Sequence, residues 1–159
     1  MNAGIASGLL VDTNLLVLYA VGRVNRFRIE TFKRTRQYTI ADYDLLIDVL
    51  KEFQPLYTVA HVMAEVSNLT DLPGPERLEA RRVVKETILL LEEVGIPSSQ
   101  AADDPLYNKL GLSDAAICVA ARRRGCSVLT DDLDLYRFLS YDKIPVLNFT
   151  YIRARGLEV

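Results

Sequence analysis

Cysteine, histidine and tryptophan are scarce in these 159 residues, which hold two, one and none of them. Cys118 and Cys126 form no Cys-x-x-Cys pair and have no histidine beside them, so both read as reduced, buried thiols rather than disulfide or metal partners. No apolar run approaches the roughly 18 residues of a membrane span. The N-terminus shows no basic region followed by an apolar stretch, so a cytoplasmic protein with no membrane partner is expected. No repeat, low-complexity tract or Gly/Ser linker divides the chain, and its length suits one domain over residues 1–159. A composition of 50% hydrophobic and 25% charged residues excludes disordered and collagen-like chains.

A dominant charge is missing too. The 19 basic and 21 acidic residues leave a net charge of −2, which argues against a surface that grips nucleic acid everywhere. The exception is local: Arg23, Arg26, Arg28, Lys33, Arg34 and Arg36 face one acid, Glu30, in the stretch from Val21 to Gln37. This basic insertion at about residues 22–38 reads as a solvated face or as an arm for phosphate or a partner.

Apolar runs and helical periodicities alternate along the rest. Gly8–Val11 reads as a strand buried on both faces and ending at Asp12, followed by a helix over Thr13–Val21. Apolar residues at 40, 43, 46, 47, 50 and 53 predict an amphipathic helix over Thr39–Phe53. A strand at Leu56–Val59, a helix over Ala60–Leu69 and a long helix over Glu76–Val94 come next, the last stopped by Gly95 and Pro97. Ser98–Asp104 reads as loop, with Asp104-Pro105 opening a short helix. Ser113–Arg124 reads as a helix with a serine cap, three arginines in its last turn and Gly125 as left-handed terminator. Strands at Cys126–Thr130 and Pro145–Phe149 flank a helix over Leu133–Leu139. Such alternation implies a parallel sheet between helical layers, an α/β fold of three layers.

Several carboxylates stand where packing would favour carbon. Asp12 closes the first strand, and Asp131 and Asp132 close the strand from Cys126, with Asp134 two residues on. Each precedes a helix and could serve as its N-cap, yet strand carboxyl ends are also where open parallel sheets bind ligands. Glu65 falls on the flank of the stripe made by Val62, Val66 and Leu69, where a carboxylate needs an ion pair, a metal or a cleft. Asp114 shares a face with Ile117, Cys118 and Ala121, or favours the dipole of its helix. Like charges meeting in one crevice call for a cation, and oxygen ligands without a His or Cys cluster select Mg²⁺ or Mn²⁺. A site of that kind suits phosphodiester hydrolysis.

Four segments carry a resemblance. Val11-Asp12-Thr13-Asn14, Ala64-Glu65-Val66-Ser67-Asn68-Leu69, Leu112-Ser113-Asp114-Ala115-Ala116-Ile117 and Leu129-Thr130-Asp131-Asp132-Leu133-Asp134-Leu135 resemble, in order, the four acidic motifs of PIN-domain nucleases. The resemblance spans nearly the whole chain. It implies a three-layer α/β/α PIN-like fold with a central parallel sheet, and an endoribonuclease that depends on Mg²⁺ or Mn²⁺. Small single-domain members of the family are often VapC-like toxins of type II toxin–antitoxin pairs, which implies an antitoxin and a homodimer. A small crevice reaches phosphates best where RNA is unpaired, so single-stranded or loop regions are the expected substrate. Carried over, Asp12, Glu65, Asp114 and Asp132 would be catalytic metal ligands, with Asp134 auxiliary. Asn14 and Thr130 would orient waters or carboxylates. The family's Thr-x-Asp-x-Asp pattern puts Asp132 at the fourth acid and Asp131 at the variable position, and a one-residue shift exchanges them. The 22–38 insertion lengthens the distance from Asp12 to Glu65 beyond that of a minimal toxin.

Other features favour plainer roles. His61, four residues before Glu65, reads as packed or paired with it. Arg122-Arg123-Arg124 reads as a solvated helix end, otherwise as an RNA contact. The apolar residues of Glu76–Val94 read as core first and as a dimer or antitoxin groove second. The eight tyrosines are dispersed and mark no base-stacking platform. The rival functions are a non-catalytic PIN-fold domain that binds RNA or a partner, and a phosphate-transfer domain. The second is disfavoured because the late strands end at Thr130 and Asn148, with no lysine.

Overall fold

A computed structural model describes residues 8–156. Its first half runs β1 (Leu9–Val11), α1 (Thr13–Val24), a three-residue 3-10 turn (Arg26–Arg28), α2 (Ile40–Lys51), β2 (Leu56–Thr58), α3 (Ala60–Leu69) and α4 (Glu76–Leu90). Its second half runs β3 (Glu92–Glu93), α5 (Ser98–Asp103), α6 (Tyr107–Leu110), α7 (Leu112–Arg124), β4 (Ser127–Thr130), α8 (Leu133–Tyr141), β5 (Val146–Asn148) and α9 (Phe149–Arg155). The five strands form one parallel sheet in the order β3-β2-β1-β4-β5.

That order fixes the architecture. The chain steps from central β1 outward to β2 and β3, then returns past β1 to β4 and β5. Right-handed crossovers therefore lay α1–α4 on one face and α5–α8 on the other, giving three layers. The direction of winding reverses between β1 and β4, whose registers set Val11 against Leu129. Their carboxyl ends open the switch-point crevice in which sheets of this kind hold ligands.

Packing follows from composition. Leu9, Leu10 and Val11 are fully buried because helices cover both sheet faces. α1 is apolar nearly all round and buries Leu15, Leu16, Leu18 and Val21. Gly22 lets α1 lie against α2, since a Cβ there would come within 2.3 Å of the Tyr43 ring. Thr39 and Asp42 cap α2 reciprocally: each backbone N–H donates to the other's side-chain oxygen, at 2.8 and 3.1 Å. Gly125 ends α7 at φ 62°, the left-handed terminator expected of it. No helix among the described residues is long and apolar enough to cross a membrane.

Some local expectations are corrected. The helix predicted over Glu76–Val94 stops at Leu90, because Leu91 turns extended and Glu92–Glu93 pairs with β2 as an edge strand. Ser98–Asp104 is largely helical rather than loop. α7 starts at Leu112 behind Gly111, and no serine caps it. A last helix, α9, follows β5 where none was predicted, capped by Asn148 Oδ1 accepting from the Thr150 and Tyr151 backbones. On α4, Val83 and Val84 enter the core, whereas Leu78, Leu89 and Leu90 are exposed.

Candidate active site

The crevice begins at Asp12, which ends β1 and caps α1. Its carboxylate is buried, and each oxygen has a donor: the Thr13 N–H reaches Oδ1 at 2.7 Å and the Thr130 hydroxyl reaches Oδ2 at 2.6 Å. Thr130 ends β4, so the first and fourth acidic motifs meet because their strands are neighbours in the sheet. The Thr130 hydroxyl also accepts from the Asp132 N–H at 3.0 Å, which places it between the two acids.

Glu65 lies on α3 and Asp114 in the first turn of α7. Glu65 is exposed at the crevice, so of the ion pair, metal or cleft that its place beside the buried stripe calls for, the cleft is what meets it. Its Oε2 accepts from the Thr13 hydroxyl at 3.1 Å, and its Oε1 accepts from the Ser113 hydroxyl. Thr13 follows Asp12 and Ser113 precedes Asp114, so a hydroxyl adjoining each of two acids ties the third between them. From the sequence neither hydroxyl has a part in the site and Ser113 reads as a helix cap, although a hydroxyl residue next to an acid in a motif is a readable sign.

Asp132 caps α8, its Oδ1 accepting from the Asp134 and Leu135 N–H groups at 2.8 and 3.0 Å. Asp12 and Asp132 thus each cap a helix at the end of a strand. Asp131, between Thr130 and Asp132, has its Oδ2 accepting from the Tyr38 hydroxyl. Asp134 is exposed and lines a groove with Lys109, Arg137 and Tyr141 beside the crevice. Asn14 is exposed on the first turn of α1.

The electrostatics join these acids. Burial pushes the Asp12 carboxyl up to about 6 against the hydrogen bonds of Thr130 and Thr13, with the charges of Asp131 and Asp132 adding to the rise. Burial also pushes Asp114 up to about 7, reinforced by the charges of Asp12, Asp132 and Glu65. Acids from four separate segments therefore feel one another across the crevice. None of the ion pairs among the described residues involves any of them.

The basic residues are engaged elsewhere. In the insertion, Arg23 pairs with Glu86, Arg26 with Asp44, Arg28 with Glu76 and Lys33 with Asp71, so much of the arm's charge is neutralised locally. Arg122 pairs with Asp104 and Asp142, which makes it an internal anchor more than a solvated helix end. His61 does not pair with Glu65; its Nε2 meets the Ser98 hydroxyl at 2.8 Å.

The donor set suits a hard divalent cation. It is all oxygen and it lacks cationic partners, and mutual repulsion raises the Asp114 carboxyl. The acids line the crevice without closing into a knot: no three His, Cys, Asp or Glu side chains among the described residues make a ready-formed metal cluster. Hydroxyls and backbone N–H groups donate to the carboxylate oxygens instead. No family model matches this chain, and no curated protein is significantly similar to it.

Proposed function

We propose that this chain is an endoribonuclease dependent on Mg²⁺ or Mn²⁺, hydrolysing RNA phosphodiester bonds in single-stranded or loop regions to leave a 3′-hydroxyl and a 5′-phosphate. The observation that carries this reading is the set of Asp12, Glu65, Asp114 and Asp132 at the β1/β4 switch point, mutually repelling and without a lysine or arginine partner. Asp12, Glu65, Asp114 and Asp132 would hold the cation, with Asp134 auxiliary at the rim. When bound, the cation lowers the pKa of a water and offsets charge on the leaving oxygen.

The chain's own groups prepare that chemistry. The Thr130 hydroxyl and Thr13 N–H fix the plane of the Asp12 carboxylate, so its free lone pairs have a set direction. The Thr13 and Ser113 hydroxyls hold Glu65 at the mouth, where an exposed carboxylate would otherwise sample many rotamers. Unpaired RNA suits an open crevice because its phosphates can approach without a second strand in the way. The narrower role, a cytoplasmic homodimeric toxin held by an antitoxin, rests on the four motifs.

The test is cleavage of a labelled single-stranded RNA by the purified protein with Mg²⁺, with Mn²⁺ and with EDTA, beside Asp12→Asn and Asp114→Asn. The expected result is cation-dependent product from the native protein and a loss of about 10²-fold or more in each variant. Undiminished cleavage by both variants would falsify the proposal. RNA binding without product under either cation would favour the non-catalytic alternative.

A further inference from the structure

We infer that Asp131 is a further oxygen donor of the acidic crevice and that Tyr38, carried in by the basic insertion, is its positioning residue. This rests on the cation-binding reading above, but the position lies outside the four acids of the motifs.

Asp131 follows Thr130 directly and is half-buried. Its Oδ2 accepts from the Tyr38 hydroxyl, while its Oδ1 is buried and has no hydrogen-bond partner. A carboxylate oxygen withdrawn from water without a donor keeps its full desolvation penalty, so an oxygen left in this way requires a reason. Its chain neighbour Thr130 donates to Asp12 Oδ2 at 2.6 Å, and the Asp131 charge adds to the rise of the Asp12 carboxyl. Arg153, whose guanidinium lies over the Tyr38 ring, is committed elsewhere: its Nε and Nη2 hold the two Asp42 oxygens at 2.9 and 2.8 Å, and Nη2 also donates to the Gln37 carbonyl. A residue that merely anchored Tyr38 could be an asparagine, with no charge to bury.

Tyr38 is held firmly. It is 1% exposed, and the Arg153 guanidinium lies over its ring at 5.4 Å from the centroid. Burial and the Asp131 carboxylate keep the phenol well above its usual range, so it stays a donor. Asp42 belongs to the cap of α2 and Arg153 to α9, so the insertion, α2 and α9 together form a bracket around one hydroxyl. The bracket fixes one oxygen of Asp131 and leaves the other for a ligand.

The test is Mn²⁺ affinity, read from the electron paramagnetic resonance of free Mn²⁺ over the full chain, with thermal unfolding alongside. Tyr38→Phe keeps the ring and its stacking while removing the hydroxyl. We expect Tyr38→Phe and Asp131→Asn each to weaken Mn²⁺ binding about tenfold. The double variant should bind no more weakly than Asp131→Asn alone, because Tyr38 acts only through Asp131. Native Mn²⁺ affinity in both single variants, with or without a lower Tm, marks a plain structural anchor and overturns the inference, provided that Asp12→Asn and Asp114→Asn lose affinity. If those two also bind as the native chain does, the reading beneath has failed instead. Should Tyr38→Phe not fold, Asp131→Asn decides alone.

Discussion

The hydroxyl of Thr13 donates to Glu65 Oε2 at 3.1 Å, linking the residue after the first acid to the second acid, 52 positions away. The same residue's backbone N–H holds Asp12. One residue thereby ties the two carboxylates together, Asp12 through its backbone and Glu65 through its side chain. Thr13→Val keeps the shape and the N–H but removes the donor. Its expected effect is a Mn²⁺ affinity several-fold lower, with stability changed by about 1 kcal/mol or less because Glu65 regains water. Thr13→Ser should restore affinity. Calorimetric Mn²⁺ titration of the three proteins decides it, and equal affinities would show that the bond has no bearing on the ligand.

The raised carboxyls of Asp12 and Asp114 give the metal-free protein an unusual pH dependence. Their ordinary value of 3.8 in the unfolded chain rises to about 6 and about 7 on folding. Between those limits the folded state binds more protons than the unfolded one, so stability falls as pH rises. The loss runs from about pH 4 to about pH 7 and is complete above it. Asp71 and Glu79, whose carboxyls are lowered by Lys33 and Arg82, act only at the acid end of the scale. In EDTA, Tm at pH 5 should exceed Tm at pH 8 by about 5 °C. Millimolar Mg²⁺ should raise Tm at pH 8 and so close this gap by binding the folded state alone. Differential scanning calorimetry checks both, and a Tm that rises from pH 5 to pH 8 in EDTA contradicts the charge repulsion argued here.

Asp114 carries much of this strain, which makes Asp114→Asn a diagnostic substitution. Removing a half-buried charge that three other acids oppose should stabilise the metal-free protein at pH 8 by about 1 kcal/mol and flatten its pH dependence. Cation affinity should fall in the same protein. Gain of stability with loss of binding separates a functional acid from one kept for packing; denaturant unfolding at pH 8 measures the first and Mn²⁺ titration the second.

The sequence announces the parts of this fold that the core dictates. β1 is legible because a strand covered on both faces must be apolar throughout, and α3 keeps the predicted bounds because Ala60–Leu69 carries its own helical stripe. β3 is illegible for the opposite reason: Glu92 and Glu93 are exposed, and the strand exists through its pairing with β2. Glu65 shows the limit of a helical wheel, which gives an angle around an axis and not what lies opposite. The reach of Tyr38 to Asp131 spans 93 positions and follows from the route of the insertion, which no local pattern encodes. Asp12, Thr130 and Asp132 were legible because neighbouring parallel strands must end on the same edge.

Asp132 combines two roles that substitutions can separate. Asp132→Asn keeps an acceptor for the Asp134 and Leu135 N–H groups, whereas Asp132→Ala removes the cap of α8. The alanine should cost about 1 kcal/mol of stability and the asparagine little. Both should weaken Mn²⁺ binding, because the charge goes in each. If only the alanine affects binding, Asp132 acts as a cap and the fourth acid lies elsewhere.

Arg122 belongs to a different category from its two neighbours. Its Nη1 donates to Asp104 Oδ2 at 2.6 Å and its Nε to Asp142 Oδ2 at 2.9 Å, and Asp104 is buried. Arg123 instead meets the Gly95 carbonyl and Gln100, and Arg124 lies over the Tyr57 ring. Arg122→Ala would strand the Asp104 charge, a loss of about 2 kcal/mol once the partial exposure of the pair is allowed for. Arg124→Ala should stay within about 0.5 kcal/mol. Urea unfolding compares them, with RNA binding measured by fluorescence anisotropy in EDTA. An unchanged midpoint for Arg122→Ala together with weaker RNA binding would make this helix end part of the RNA surface; a lowered midpoint with unchanged binding assigns Arg122 to the framework that holds α5, α7 and α8 together behind the crevice.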